Sequence, residues 1–395
     1  MESEQVPVDE ALGRVLARDI VSDINIPTFD KAAMDGYAVT AEDTFGSSQT
    51  SSALLRIVGK IIMGAPPTLE VTRGEAAEIT TGAVLPPGAN AVLMLEHVRR
   101  SGAEQIEVLS PVTPGENVSR AGEDVRKGDV VLRSGTRLIP PDIGMLAALM
   151  MNEVEVVRRP KVAILCTGTE LVELGDSLMQ GKVVNTNRFV LSGLVRELGG
   201  KALYLGIAKD SIEDISRLVR KGLAEADVVL VTGGTSVGET DLVPEAVGML
   251  GKPGMLVHGV SMRPGMPTGL ASVNGKAVVL LSGQPVAAMI GFKMFVRPIM
   301  LRLLGSEEEP APFVKANLSR RAASALGMRT FLRVRVVEAD GKYVADPVTA
   351  SGSGLLSSMT QANGIVVIPE DKEGIEAGEE VTVELFRPIE KKSHG

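Results

Sequence analysis

The sequence predicts a multidomain α/β plus β protein built around a central, mainly parallel α/β sheet. Three observations predict it. From Lys161 onward, strand-length apolar runs ("KVAILC", "ALYLGIA", "DVVLVT", "KAVVLLS") alternate with segments of helical period. Most of those runs are apolar at every position, as parallel strands covered on both faces are. On either side of that region the periodicity changes: β-like runs with Gly and Pro punctuation lie before it, and hairpin-like runs follow the "GSEEEPAP" linker.

Taken in order, "VPVDEALGRVLARDI" reads as a short helix, with Pro7 in its first turn and Val8, Leu12, Val15 and Leu16 on one face. "PPDIGMLAALMMN" reads as a second helix, its methionines filling a core or an interface. Between them, "LLRIVGKIIMG", "EAAEITTGAVLPPGANAVLML", "IEVLSPVTPGENV" and "DVVLRSGTRL" read as strands of a β-rich unit inserted between two helical segments that pack together. In the central region, "NRFVLSGLVRELGG" repeats apolar residues at helical spacing and stops at Gly199 and Gly200. "SIEDISRLVRKGLAEA" opens with Ser211 and Asp214 at capping-box spacing. "VAAMIGFKMFVRPIMLRLLG" is a last helix, broken near Pro298. In the tail, Asp340-Gly341 between two alternating runs marks a hairpin of a small β-barrel or sandwich.

Composition narrows the function. The 395 residues allow about two to four domains. A formal net charge of −8, no Trp and three Tyr argue against a nucleic-acid surface, which needs clustered cations or stacking aromatics. One cysteine, Cys166, rules out an internal disulfide and fits a reducing, cytoplasmic setting; it reads as core packing. His97, His258 and His394 lack metal-ligand spacing. The amino-terminal residues are acidic and amphipathic, unlike a signal peptide. No apolar run is long enough to span a membrane.

Open α/β sheets bind ligands beyond the carboxyl ends of their strands. Three strands here end in Gly- and hydroxyl-rich loops: "TGTEL" with Thr167, Gly168 and Glu170; "TGGTSVGETD" with Gly233, Gly234, Thr235, Ser236, Gly238 and Asp241; and "SGQPVAA" with Ser282, Gly283 and Pro285. Bare amides and hydroxyls suit phosphate oxygens, and acids beside phosphate suit a bridging Mg²⁺. Glu170 and Asp241 are candidates for that metal, and Asp210 joins them from a third strand end. Arg263, before Pro264-Gly265, suits an anionic group. In the inserted unit, Asp35, Thr81 and Asp124 lie on turns and loops. There is no GxxxxGK[ST] and no strand followed by GxGxxG, which disfavours P-loop NTPases and dinucleotide oxidoreductases.

Taken together, "FDKAAMDGYAV", "TTGAVLPPGANAVLMLE", "GEDV", "TGTELVE", "NTNR", "TGGTSVGETD" and "RPGMPTG" resemble the molybdopterin molybdenumtransferase family of MoeA and gephyrin-type proteins, over about residues 6 to 388. The resemblance implies an elongated, four-domain homodimer. Its domains would be a small helical, extended linking and dimerisation domain (1–26 and 135–158), an inserted β-rich domain (27–134), a three-layer, adenylyltransferase-like molybdopterin-binding α/β domain (159–305) and a carboxy-terminal β-barrel (306–395).

The implied reaction inserts molybdate, or tungstate, into adenylylated molybdopterin with Mg²⁺-assisted release of AMP. It implies catalytic roles for Asp35, Thr81, Asp124, Glu170, Asp210 and Asp241, with Glu170, Asp210 and Asp241 positioning Mg²⁺. Substrate contacts would include Asn187 of "NTNR" and the strand-end loops. An adenylyltransferase is an expected partner. Three motifs depart from the family: Arg263 and Met266 stand in "RPGM" for "KPGK", "SGQP" stands for "PGNP", and Asn185 replaces an acid. The alternatives are an ATP-using molybdopterin adenylyltransferase and a non-catalytic, gephyrin-like binding module.

Overall fold

The computed structural model describes residues 2–234, 242–307, 310–339, 341–348 and 354–391. The chain divides into two compact units, Gln5–Val156 and Met1–Glu4 with Val157–Gly395.

In the second unit, six strands form one sheet in the order Lys201–Ala208, Lys161–Thr167, Val228–Thr232, Lys276–Leu281, Gly269–Val273 and Pro253–His258. The first four pair in parallel and the last two join through antiparallel pairings, so the expected mainly parallel sheet is present. Strand alternation explains why these runs are apolar throughout. Ala163 and Leu165 face a core with Ile215, Val219 and Val243, whereas Val162 and Ile164 face one with Leu191, Val195 and Phe292.

The helices Thr186–Glu197 and Ile212–Glu225 lie where their periodicity predicts. Ser211 caps the second, its Oγ accepting the Asp214 amide at 3.2 Å. The last helical run is interrupted as expected: Pro285–Gly291 is α-helical, Phe292–Val296 forms a π-helical turn, and Arg297–Leu304 resumes the α-helix. Pro298 lacks the N–H that would bond four residues back, and its ring crowds that turn; a widened turn relieves both.

Beyond the linker, five strands close on themselves: Arg329–Ala339, Lys342–Pro347, Phe313–Leu318, Glu380–Leu385 and Gly364–Ile368, the last pairing back to Arg329–Ala339. This is the barrel alternative of the two sequence readings. The hairpin register places Ala339 opposite Lys342, around the predicted turn; Asp340 itself lies outside the described residues. The ring encloses Leu318, Val334, Val336, Ala345 and Val383.

The Gln5–Val156 unit holds a six-stranded sheet in the order Ala91–Met94, Gly36–Val39, Glu75–Ile79, Ala53–Ile61, Gln105–Val108 and Val98–Arg100. Segments before and after it share a core that includes Val8, Leu16, Leu138, Leu146 and Val156. One reading is corrected here. The amino-terminal run is not a helix: Ser3–Pro7 is extended, Val8–Glu10 is a single 3₁₀ turn, and Gly13 sits at φ +72°. Pairing decides it, because Val15 bridges Arg137 and Leu16 bridges Val156. Leu12 consequently points outward at 54% exposure. The second helix forms at Pro140–Ala148; of the methionines after it, Met151 packs against that core and Met150, at φ +60°, is 81% exposed.

Candidate functional site

Three strands end side by side at the carboxyl edge of the central sheet, at Thr167, Thr232 and Leu281. Their loops surround a cavity of about 860 Å³. Close backbone packing fixes its floor. Gly233 has φ +93°, and a Cβ there would lie 2.2 Å from the Thr167 carbonyl oxygen, so only glycine lets the two loops meet.

Asn187 ties the loops together. Its Nδ2 donates to Thr232 Oγ1 at 2.6 Å and to the Gly283 carbonyl at 2.9 Å. Thr232 Oγ1 in turn donates to the Ser282 carbonyl at 2.9 Å. Two polar atoms in this network, Thr167 Oγ1 and Asn187 Oδ1, are buried and have no hydrogen-bond partner among the described residues. Their residues line the cavity. Buried polar atoms are almost always satisfied, so a pair left open on residues of one cavity calls for ordered water or a ligand there.

The wall opposite is the excursion between Gly168 and Asn185. Leu171–Val172 and Val183–Val184 pair in parallel, which sets Glu170 beside Lys182 at the mouth of the ladder. Both line the cavity, and they are the only formally charged residues among the described lining. No ion pair joins them among the described residues. Lys182 Nζ instead donates to the Thr169 carbonyl at 2.6 Å, while the Thr169 amide donates to Asp210 Oδ2 at 3.1 Å. Glu170 therefore lines the cavity, whereas Asp210 is not part of its lining and reaches this corner only through the Thr169 amide.

Behind this wall, Asn185 caps the Thr186–Glu197 helix, accepting the Arg188 amide at 3.3 Å and donating to Tyr204 Oη at 2.9 Å. Tyr204 donates to Glu173, which also accepts from Arg188 Nη1 at 2.9 Å, and the guanidinium stacks 4.4 Å from the Tyr204 ring centroid. Burial, and then the bond to Glu173, push the Tyr204 phenol well above its ordinary range. Cys166 is fully buried, as expected of a core residue, and burial pushes its thiol up to about 12.

The other sequence candidates distribute as follows. Ser282, Gly283, Pro285, Gly233 and Gly234 line the cavity. Thr235, Ser236, Gly238 and Asp241 lie outside the described residues. Arg263 is exposed and not part of the cavity lining; its short strand pairs with Arg329–Thr330 of the barrel. Pro264 and Gly265 are buried, and Gly265 accepts the Thr268 hydroxyl at 2.7 Å. In the Gln5–Val156 unit, Asp35 Oδ1 accepts both the amide and hydroxyl of Thr81, at 2.7 and 2.8 Å. Those two bonds, the amide first, hold its carboxyl below the usual range. Asp124 is exposed on its loop, its amide donating to the Ile26 carbonyl at 3.0 Å.

Sequence reasoning missed Lys182, Leu178 and Leu356, which also line the cavity. Lys182 sits three residues before Asn185, inside "GKVVNTNR", and proximity to that motif was the only signal available.

A parallel α/β sheet with glycine loops, an open hydroxyl and mixed charge at its carboxyl edge has the chemistry that suits a polar, phosphate-bearing ligand there. Residues 1–149 match the MoeA N-terminal region (domain I and II), 163–302 a "probable molybdopterin binding domain", and 315–386 the MoeA C-terminal region (domain IV). A putative molybdopterin biosynthesis protein of Methanocaldococcus jannaschii is 40% identical over 97% of this chain and 92% of its own. The molybdopterin molybdenumtransferase of Bacillus subtilis is 35% identical over 98% and 90%. The crystal structure of a molybdopterin biosynthesis MoeA protein from Pyrococcus horikoshii OT3 superposes with TM-score 0.83 at 39% identity, covering 98% of this chain and 95% of that one. The chain belongs to the MoeA family of molybdopterin molybdenumtransferases.

Proposed function

We propose that the chain is a molybdopterin molybdenumtransferase that inserts molybdate, or the similarly sized tungstate, into adenylylated molybdopterin with release of AMP. The observation that carries this is the pair of open buried atoms, Thr167 Oγ1 and Asn187 Oδ1, on residues that line a strand-end cavity in a chain of this family. The strand-end loops bind the phosphates and nucleotide. Asn187 keeps the second and third loops in register while presenting its carbonyl to the ligand.

The donor chemistry at the Thr169 corner fits Mg²⁺. Glu170 and Asp210 are hard oxygen donors from neighbouring strand ends. Among the described residues no group of three or more His, Cys, Asp or Glu could hold a metal, so water and substrate phosphate complete the shell, with Asp241 outside the described residues. Bound there, Mg²⁺ would withdraw charge from the phosphoanhydride. Asp210 keeps Glu170 in place by fixing the Thr169 amide between them.

Asp35, Thr81 and Asp124 are proposed to serve the same reaction from a second copy of the chain, in a homodimer. Thr81 holds Asp35 ionised, which suits an acid acting beside anions. Leu12, Ile139 and Met150, all exposed on the Gln5–Val156 unit, are apolar surface that a dimer covers. We assign the domains at the boundaries expected above, and the reaction to the cytoplasm.

The test supplies purified protein with adenylylated molybdopterin, molybdate and Mg²⁺, without ATP, and measures AMP and cofactor-bound molybdenum. The proposal expects both to appear together. A requirement for ATP would favour the adenylyltransferase reading, and no turnover at all would favour a binding module. Asp241→Asn is expected to abolish AMP release with the oligomer unchanged.

A further inference from the structure

We infer that Lys182 is the cation that recognises the phosphate of the ligand in the strand-end cavity, and that it makes the site prefer a phosphorylated nucleotide over its nucleoside. The inference rests on the proposed function, which it deepens. Lys182 is the only cation among the described lining residues, and the adjoining Thr235–Asp241 segment contains no Lys or Arg. The cationic residue that the sequence suggested, Arg263, is not part of that lining.

Three features make Lys182 available. The parallel pairing of Leu171–Val172 with Val183–Val184 holds its backbone, with the Val183 amide donating to the Glu170 carbonyl at 2.9 Å. Its ammonium is not neutralised by Glu170, its neighbour on that ladder. Its bond goes to a neutral carbonyl, that of Thr169, and an ammonium has three donors, so two remain for phosphate oxygens without breaking that bond.

Thr167 and Asn187, whose Oγ1 and Oδ1 are buried without a partner among the described residues, line the same cavity and leave hydrogen-bonding capacity there for water or a ligand. Thr169 links the two charges: Lys182 holds its carbonyl and Asp210 its amide. Cation and acid are thereby kept on one residue but apart, so phosphate and a divalent cation can be bound side by side rather than cancelling the protein's own charges.

The experiment titrates AMP, adenosine and inorganic pyrophosphate into the full-length protein and its Lys182→Gln and Lys182→Arg variants at several salt concentrations. Loss of one charge-assisted contact is expected to weaken AMP and pyrophosphate by roughly 10- to 100-fold in Lys182→Gln. Adenosine should change little, and the salt dependence of AMP binding should flatten. Lys182→Arg should keep AMP within about tenfold of wild type, since the charge remains though its geometry changes. The inference is overturned if Lys182→Gln binds AMP as wild type does, if it loses adenosine and AMP equally, if Lys182→Arg is as weak as Lys182→Gln, or if wild type binds neither AMP nor pyrophosphate. Failure of the proposed reaction reads out separately, as absence of AMP release by wild type from adenylylated molybdopterin.

Discussion

The two ends of the central sheet are built to different rules. At the amino end, Arg158 forks onto Asp227 at 2.9 and 3.1 Å, and Asp227 also accepts the Lys161 amide at 2.7 Å. Lys276 Nζ meets the last carbonyls of the Ile212–Glu225 helix and its cap, Leu223 at 2.6 Å and Ala226 at 2.9 Å. Burial acts to raise the Asp227 carboxyl, and Arg158 and Lys161 outweigh it, leaving it below the usual range. At the carboxyl end, two buried polar atoms stay open, glycine backbones touch, and a lysine and a glutamate share a ladder without pairing. Ion pairing and capping serve stability at one end. At the other, the open hydrogen bonding belongs to residues that line the cavity, where we propose it serves a ligand.

If that division is right, substitutions at the two ends should fail in different assays. The largest effect is expected from Gly233→Ala. A Cβ against the Thr167 carbonyl forces the loops apart by an ångström or more, and such a displacement costs turnover on the order of 100-fold. Steady-state AMP release checks it, with circular dichroism confirming a folded protein. Arg158→Ala should do the reverse. It leaves Asp227 half-buried without its main partner, costing about 1–3 kcal/mol in denaturant unfolding, with kcat unchanged.

The pH dependence of that second effect has a defined sign. The Asp227 pKa is depressed in the folded state, so its contribution is present above the unfolded carboxylate pKa of about 4 and is lost as pH falls through the folded value. Asp227→Asn should therefore flatten this part of the acid limb of stability. A smaller effect, about 1 kcal/mol, is expected from Asn185→Ala, which removes a helix cap behind the site wall. Cys166 should resist thiol reagents at pH 8 in the folded protein and react on unfolding, because its burial keeps the thiol protonated.

The contrast between the ends also explains what could be read from the sequence. Val162 to Cys166 and Val228 to Thr232 are buried on both faces, so an unbroken apolar run was enough to identify them as strands whose ends line the cavity. Glycine and hydroxyl residues at those ends were legible for the same reason. Lys182 was not, because its place depends on a two-residue parallel ladder with Leu171 and Val172, too short to leave a periodic signal. Arg263 is a different case: a Pro-Gly turn suggested an anion site, and the residue pairs with Thr330 of the barrel, outside the lining of this cavity. The segment Val6–Ile20 carried a helical pattern that non-local bridges to Arg137 and Val156 override.

The most direct test of the central claim is Thr167→Val, a near-isosteric change that deletes only the open hydroxyl. Thermal unfolding and AMP release are measured on the same preparations. If the hydroxyl is held for a ligand, stability should stay level or rise while kcat/KM falls roughly 10-fold, the worth of one hydrogen bond. Lower stability with unchanged kcat/KM would contradict the account, since the hydroxyl would then be serving the fold.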